Sequence, residues 1–172
     1  EYLPSLHKYY GLRKKALKKD KQYMWDVSIN LEKEFDQKYP YEKARELITE
    51  GLKPLGEDYI EVLNRGFEDR WVDVYPREGK AGGAYSWGSF DTDPYILMNY
   101  TDTLDSMFTL AHEFGHSMHS YYSKSDNDYL YAQYKIFVAE VASTFNELTL
   151  LDYMLKNVKD KHEKIYILNH YI

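Results

Sequence analysis

Between Thr109 and His119 the chain reads Thr-Leu-Ala-His-Glu-Phe-Gly-His-Ser-Met-His. Within it His112, Glu113 and His116 form an H-E-x-x-H pattern, whose spacing acquires meaning on a helix. Four helical residues rise about 6 Å and turn slightly more than once, so His112 and His116 stack on one face. Two imidazoles so placed can meet one Zn²⁺ at about 2.0–2.1 Å. Glu113 projects beside that face, near enough to act on a water at the metal without being a ligand. That is where a general base belongs.

A catalytic zinc takes three protein ligands and keeps its fourth position open. The chain has no cysteine, which excludes disulfides and thiolate sites and leaves His and carboxylate as the strong ligands. The longer pattern H-E-x-x-H-x-x-G-x-x-H fails, because it needs Gly at His119 and His at Tyr122. His119 lies about two turns from His112, too far along the axis to share the metal with both. It is expected beside the site, as a cleft residue or a support. The best third ligand is Glu140, central in a polar stripe of Glu140, Ser143, Thr144 and Glu147 at i, i+3, i+4 and i+7. A ligating imidazole usually donates its free N–H to an acceptor, so Ser143, Thr144 or Glu147 is expected to orient one histidine, with Glu147 preferred. The competing reading is a structural helix with satisfied core histidines.

Two helices must position these groups. Asp102 or Thr103 can cap the first, with Asp105 in its first turn beside the positive end of the helix dipole. Between Asp105 and Lys124, with histidine counted as neutral, the only charged residue is Glu113. A helix running about five turns with a single such charge is not a solvent-facing helix, so its histidines belong inside the fold or along a cleft. After a turn at Asp126-Asn127-Asp128, Tyr131 to Leu155 reads as the second long helix. Tyr134, Phe137, Val138, Val141, Phe145, Leu148 and Leu151 cover most of its circumference, and the small Ala139, Ala142 and Ser143 let another helix approach.

Upstream, Pro4 to Lys19 reads as a helix ending in Arg13, Lys14, Lys15, Lys18 and Lys19, a run expected as a solvated face. Tyr23 to Leu31 has no helical period and is expected to be extended. Tyr41 to Leu52 carries Ala44, Leu47 and Ile48 at helical spacing and ends near Gly51 and Pro54. Tyr59, Ile60, Leu63 and Phe67 mark a third helix. The period then changes: Trp71 to Tyr75 and Tyr95 to Tyr100 are strand-like. Between them Gly79, Gly82, Gly83 and Gly88 crowd one segment, which is either a face for a ligand or a hairpin connection. It lacks G-x-x-x-x-G-K-[ST], which argues against a phosphate loop. A last helix starts near Asp160.

With 172 residues the chain has room for one domain with a real core. The 22 basic and 28 acidic residues give a net charge of −6, so nothing points to nucleic acid or an anionic membrane. Nineteen tyrosines suit half-buried packing or the walls of a wet groove. No run spans a bilayer and no signal peptide is visible, and a cytoplasmic location is expected. The chain opens on Glu1 and stops inside the apolar periodic pattern Asn169-His170-Tyr171-Ile172, so it is expected to be part of a longer protein.

The stretch Thr109 to Tyr122, with Phe137-Val138-Ala139-Glu140-Val141-Ala142-Ser143-Thr144 downstream, resembles the oligoendopeptidase F branch of the thimet oligopeptidase family. Gly83-Ala84-Tyr85-Ser86-Trp87-Gly88-Ser89 and Pro94 to Tyr100 are similar to the same branch. The resemblance implies a mainly α fold, a helical zincin-type catalytic core with a small β-hairpin or short sheet around residues 70–100. It implies that residues 1–172 form a single domain, part of the catalytic region of a longer zinc metalloendopeptidase acting on short peptides. Zinc ligands would be His112, His116 and Glu140, with Glu113 the base. Gly83, Ala84 and Tyr85 would line the substrate channel, and His119 and Glu147 would support the ligands. The family's transition-state His and Tyr come from a segment beyond residue 172; His170 and Tyr171 lack its glycine-rich context and are not assigned that role.

Overall fold

The computed structural model describes residues 3–27, 29, 31 and 37–171. It divides into two compact units, Gln37–Val158 and a smaller one of Glu1–Asp36 with Lys159–Ile172. Among the described residues no helix is long and apolar enough to cross a membrane.

The larger unit holds four helices and a small sheet: α2 (Tyr41–Leu52), α3 (Glu57–Glu68), β1 (Val72–Asp73), β2 (Tyr85–Trp87), β3 (Tyr95–Leu97), α4 (Leu104–Asp126) and α5 (Ile136–Asn157). Helix α4 begins where Thr103, in extended conformation, accepts a hydrogen bond from the Ser106 amide at 3.1 Å. That satisfies one of the amides a helix start leaves unpaired. Of the two caps the sequence offers, Thr103 serves. The apolar period of α4 places Leu104, Met107, Phe108, Leu110, Ala111, Phe114 and Met118 in the core with Ala44, Ile48 and Leu52 of α2 and Leu63 of α3. Gly66 makes the α3 approach possible. A Cβ there would stand 2.6 Å from the Trp71 ring and 3.0 Å from Phe114.

The sheet order is β1-β3-β2, with β3 parallel to β1 (Val72↔Ile96) and antiparallel to β2 (Tyr85↔Leu97, Trp87↔Tyr95). The expected strands are therefore present but shorter, and a third lies inside the glycine-rich segment. The chain leaves β1, reaches the far edge and returns through the middle. Two side chains pin the crossing: Lys80 donates to the carbonyls of Asp73 (2.9 Å) and Tyr75 (2.8 Å), and the Asn99 amide to those of Ala81 and Gly83, both at 2.9 Å.

Helix α5 starts five residues later than its apolar period suggests. Tyr131 and Ala132 are used in a turn on the Asp128 carbonyl, and Tyr134 stacks on His119 at 3.8 Å between ring centroids. The larger surprise is its surface, since Phe137, Val138, Val141, Phe145 and Leu148 are exposed.

In the smaller unit α1 (Leu3–Ala16) ends near Lys18, which has a φ of 53°. The basic run is not a uniformly solvated face. Arg13 is buried, and its guanidinium donates to the carbonyls of Asp26 (3.3 Å), Val27 (2.7 Å) and Ile29 (2.6 Å). A guanidinium with fixed donors can be buried where carbonyls converge. Lys19 pairs with the buried Asp26, and this hydrogen bond, with one from the Tyr23 amide, holds that carboxyl below its usual range. Instead of an extended run, Met24–Asp26 form a 3₁₀ turn; part of Tyr23 to Leu31 lies outside the described residues. Helix α6 (Lys161–Tyr171) completes this unit, with Ile167 buried and Asn169 accepting from the Tyr9 hydroxyl at 3.5 Å.

Candidate metal centre

Helices α4 and α5 cross at a point where no side chain intervenes. A Cβ on Gly115 would stand 2.5 Å from the Ser143 Cα and 3.0 Å from the Ala142 carbonyl, so glycine is required for this approach. The crossing brings His112 and His116 of α4 against Glu140 of α5. Their ligand atoms all lie within 4.8 Å of one another, and among the described residues they form the one such group of three or more. The two Nε2 atoms are 3.0 Å apart, with the rings nearly perpendicular at 84°. Glu140 Oε2 lies 3.4 Å from His112 Nε2 and 3.8 Å from His116 Nε2.

Each member is held from behind. Glu147 Oε1 sits 2.6 Å from His112 Nδ1, so of the three acceptors weighed from the sequence it is the one on a histidine. Ser143 instead donates to Glu140, to its carboxylate at 3.2 Å and its carbonyl at 3.1 Å. Thr144 is exposed. His116 hydrogen-bonds the backbone of Ala139. With the His112 Nδ1 proton directed at a carboxylate, Nε2 carries a lone pair, and it faces a second nitrogen and a carboxylate oxygen. This donor set fits a cation of zinc's preference, with two neutral imidazoles, one carboxylate and no sulfur.

Asn146 was not singled out from the sequence, yet it fixes the helix register. It is buried, donates to the Ala111 carbonyl at 3.1 Å and accepts from the Tyr59 hydroxyl at 2.8 Å, linking α5 to α4 and α3. A signal was available. Ala139, Ser143, Asn146 and Leu150 are spaced as one helix face, and all four are buried.

Glu113 lies on the cleft side of α4 and is buried. Its Oε2 has no hydrogen-bond partner, and the Ser86 backbone hydrogen-bonds the carboxylate. Burial pushes this carboxyl above its ordinary value, opposed by His112 and reinforced by Glu140. Ser86 also joins its hydroxyl to that of buried Ser117 at 2.8 Å, which ties β2 to α4 one turn beyond Glu113. The Glu147 hydrogen bond raises the His112 pKa, whereas burial lowers those of His116 and His119.

A cleft of about 440 Å³ opens over these groups, walled by Ala84, Tyr85 and Ser86 on one side and Tyr134 and Ile136 on another. Of the three residues expected to meet a ligand, Ala84 and Tyr85 line it. Gly83 does not line it; its φ is 81° and its carbonyl is held by Asn99. His119 stays outside the ligand group, stacked on Tyr134, its Nδ1 without a hydrogen-bond partner.

Comparison with known proteins identifies the family of the chain. The whole chain, residues 1–172, matches the description of peptidase family M3, and the chain belongs to that family. It is 50% identical over 170 residues to the oligopeptidase PepF of Bacillus subtilis and 45% identical over 171 to the group B oligopeptidase PepB of Streptococcus agalactiae. These alignments cover 99% of this chain but 25% and 28% of those proteins, so it spans about a quarter of its curated relatives' length. Among solved structures, one from Chlamydophila abortus superposes with a TM-score of 0.87 at 44% identity, over 96% of this chain and 28% of that one. The oligoendopeptidase F of Enterococcus faecium gives 0.58 at 32%, over 99% and 22%.

Proposed function

We propose that the 172 residues are part of the catalytic region of a longer zinc metalloendopeptidase that hydrolyses internal bonds of short oligopeptides. The observation that carries this reading is the convergence of His112, His116 and Glu140 beside the buried, half-unpartnered carboxylate of Glu113. The names of the relatives, oligopeptidases, support the same substrate class.

His112, His116 and Glu140 would hold the metal, and Glu147 would keep the His112 ring in the tautomer that offers Nε2. Zinc, when held there, supplies a Lewis acid that polarises a carbonyl and brings the pKa of a water toward about 7. Glu113 takes the proton from the attacking water at Oε2 and returns it to the departing amine. Its Oε2, which has no hydrogen-bond partner, is free for both transfers. Ala84 and Tyr85 would position the peptide, extended along β2, through backbone pairing that asks little of its sequence.

Glu113→Gln separates base from ligand. In the full-length enzyme it should leave one metal per chain, counted by mass spectrometry, while peptide hydrolysis disappears. Appreciable remaining turnover would remove Glu113 from the role. A second reading, a zinc-bearing fragment that binds peptide without cleaving it, is favoured by the exposure of Glu140 and by the share of its relatives that the chain spans. A labelled peptide bound but left intact by the 172 residues would decide for it.

A further inference from the structure

Beside the metal cleft lies a second cavity, of about 340 Å³, that the proposed reaction does not use. Its floor is Ser120 and Lys124 of α4, and its walls are Trp87 and Phe90 on one side and Gln133 and Tyr134 on the other. Phe90 meets Tyr129 edge to face at 5.4 Å between ring centroids, which ties the two walls together. The two hollows share Ser86 and Tyr134. Both α4 and β2 run from the metal cleft toward this cavity. Lys124 follows His116 by eight residues, which is about 12 Å of helix, and Trp87 follows Ala84 and Tyr85. An extended peptide advances about 3.3 Å per residue, so one lying along β2 with its scissile carbonyl at the metal reaches Lys124 about three or four residues away.

The chemistry of the cavity is one-sided. Lys124 is the only acidic or basic residue among those that line it, in a chain whose net charge is −6. An ammonium has three N–H donors. Two of them are taken by the carbonyls of Ser89, at 2.6 Å, and Thr92, at 3.1 Å, which are neutral partners. Burial lowers the pKa of this ammonium, opposed by Asp93, which lies outside the lining. The other polar side chains of the cavity include the Ser120 and Tyr134 hydroxyls, joined to each other, and the Gln133 amide. A carboxylate accepts from such donors and supplies the charge that the cavity lacks.

We propose that this cavity is a subsite for a carboxylate carried by the peptide about three or four residues from the scissile bond, with Lys124 the residue that selects it. The proposal rests on the reading of the chain as a peptidase that lays its substrate along β2. The carboxylate is either an Asp or Glu side chain or the peptide's own C-terminus. Only the second sets a fixed distance between the cut and the end of the peptide.

The test uses the full-length enzyme and a series of peptides of one parent sequence. In the series Glu or Gln stands at each position near the cleaved bond in turn, and the C-terminus is free or amidated. The value of kcat/KM should be about ten-fold higher for one Glu peptide than for its Gln counterpart, or for the free acid than for the amide. The first result assigns the side chain and the second the terminus. In Lys124→Met that ratio should fall to about one, and in Lys124→Arg it should persist. Equal rates for every pair in the wild type overturn the subsite, and so does a ratio that survives Lys124→Met. Loss of the lysine's hold on residues 89–92 slows all peptides alike and leaves the ratio in place, so it counts as such survival. Should Lys124→Met not fold, Gln133→Glu, at an exposed position, puts a competing carboxylate in the same cavity. The preference should vanish there too, and its persistence overturns the proposal. Anisotropy of labelled peptides on the Glu113→Gln enzyme separates the subsite from the reaction. Acid preference in binding without cleavage by the wild type keeps the subsite and removes the proposed function, and cleavage without acid preference does the reverse.

Discussion

The contact between Glu147 and His112 shows what a residue outside the proposed ligand set can control. A carboxylate 2.6 Å from Nδ1 selects the tautomer, aims the ring and makes Nε2 a stronger donor. Glu147→Ala should therefore weaken zinc roughly 10- to 100-fold in a chelator competition, with helix content unchanged. Glu140→Ala should weaken it further, and unchanged affinity would mean that the third ligand lies elsewhere. A second carboxylate, Asp73, allows a pH prediction away from the metal. Hydrogen bonds from Arg77 and Lys80 hold its pKa down at about 2, against an ordinary value of 3.8. A depressed carboxyl stabilises the fold above the unfolded value and ceases to do so as pH falls through the folded one. Amide protection in residues 79–83 should thus hold at pH 5 and decline between about 4 and 2. In Asp73→Asn the decline should be absent over that window, and protection should already be reduced at pH 5.

At the scale of elements, the site depends on how closely α4 and α5 approach. Gly115→Ala pushes a methyl into the Ser143 backbone, so the helices must separate at the point between the proposed ligands. Overpacking of this kind costs about 1–3 kcal/mol, and here it should cost zinc affinity as well, which thermal melting with and without metal would resolve. Asn146→Leu should lower stability by about 1–3 kcal/mol, because it strands the Tyr59 hydroxyl and leaves the Ala111 carbonyl without its inter-helix donor. Both long helices were legible in the sequence because their apolar period runs over many turns, and H-E-x-x-H carries its own geometry. Asn146 was not, since a single amide beside Glu147 looks like another member of the polar stripe until the buried face is known. Strand β2 was hidden for a different reason. Three residues between glycines have no period to read, and their place is set by pairing with β3, ten residues further on. Arg13 misled because a cation among lysines reads as solvated, whereas its partners are backbone carbonyls, which no sequence pattern displays.

For the whole molecule, the larger unit should respond to metal. All three candidate ligands lie in Gln37–Val158, so zinc should stabilise that unit. At a free concentration about 100 times Kd, binding contributes about 2.7 kcal/mol. Calorimetry should show that unit's transition rise with zinc and fall back on chelation. In His112→Ala with His116→Ala the zinc response should vanish.

The pinned glycine segment has a consequence for the survival of the chain among proteases. Gly79, Gly82 and Gly83 would ordinarily make residues 79–83 an easy place to cut, and Lys80 supplies the residue trypsin seeks. Yet the Lys80 ammonium is engaged by two carbonyls and the Asp73 carboxylate, and its side chain is 2% exposed. The bond after it cannot enter a protease cleft until those contacts break. In the native protein this lysine should be among the last to be cleaved and the slowest to react with amine reagents, so the loop with the least side-chain bulk is guarded by the one side chain it buries.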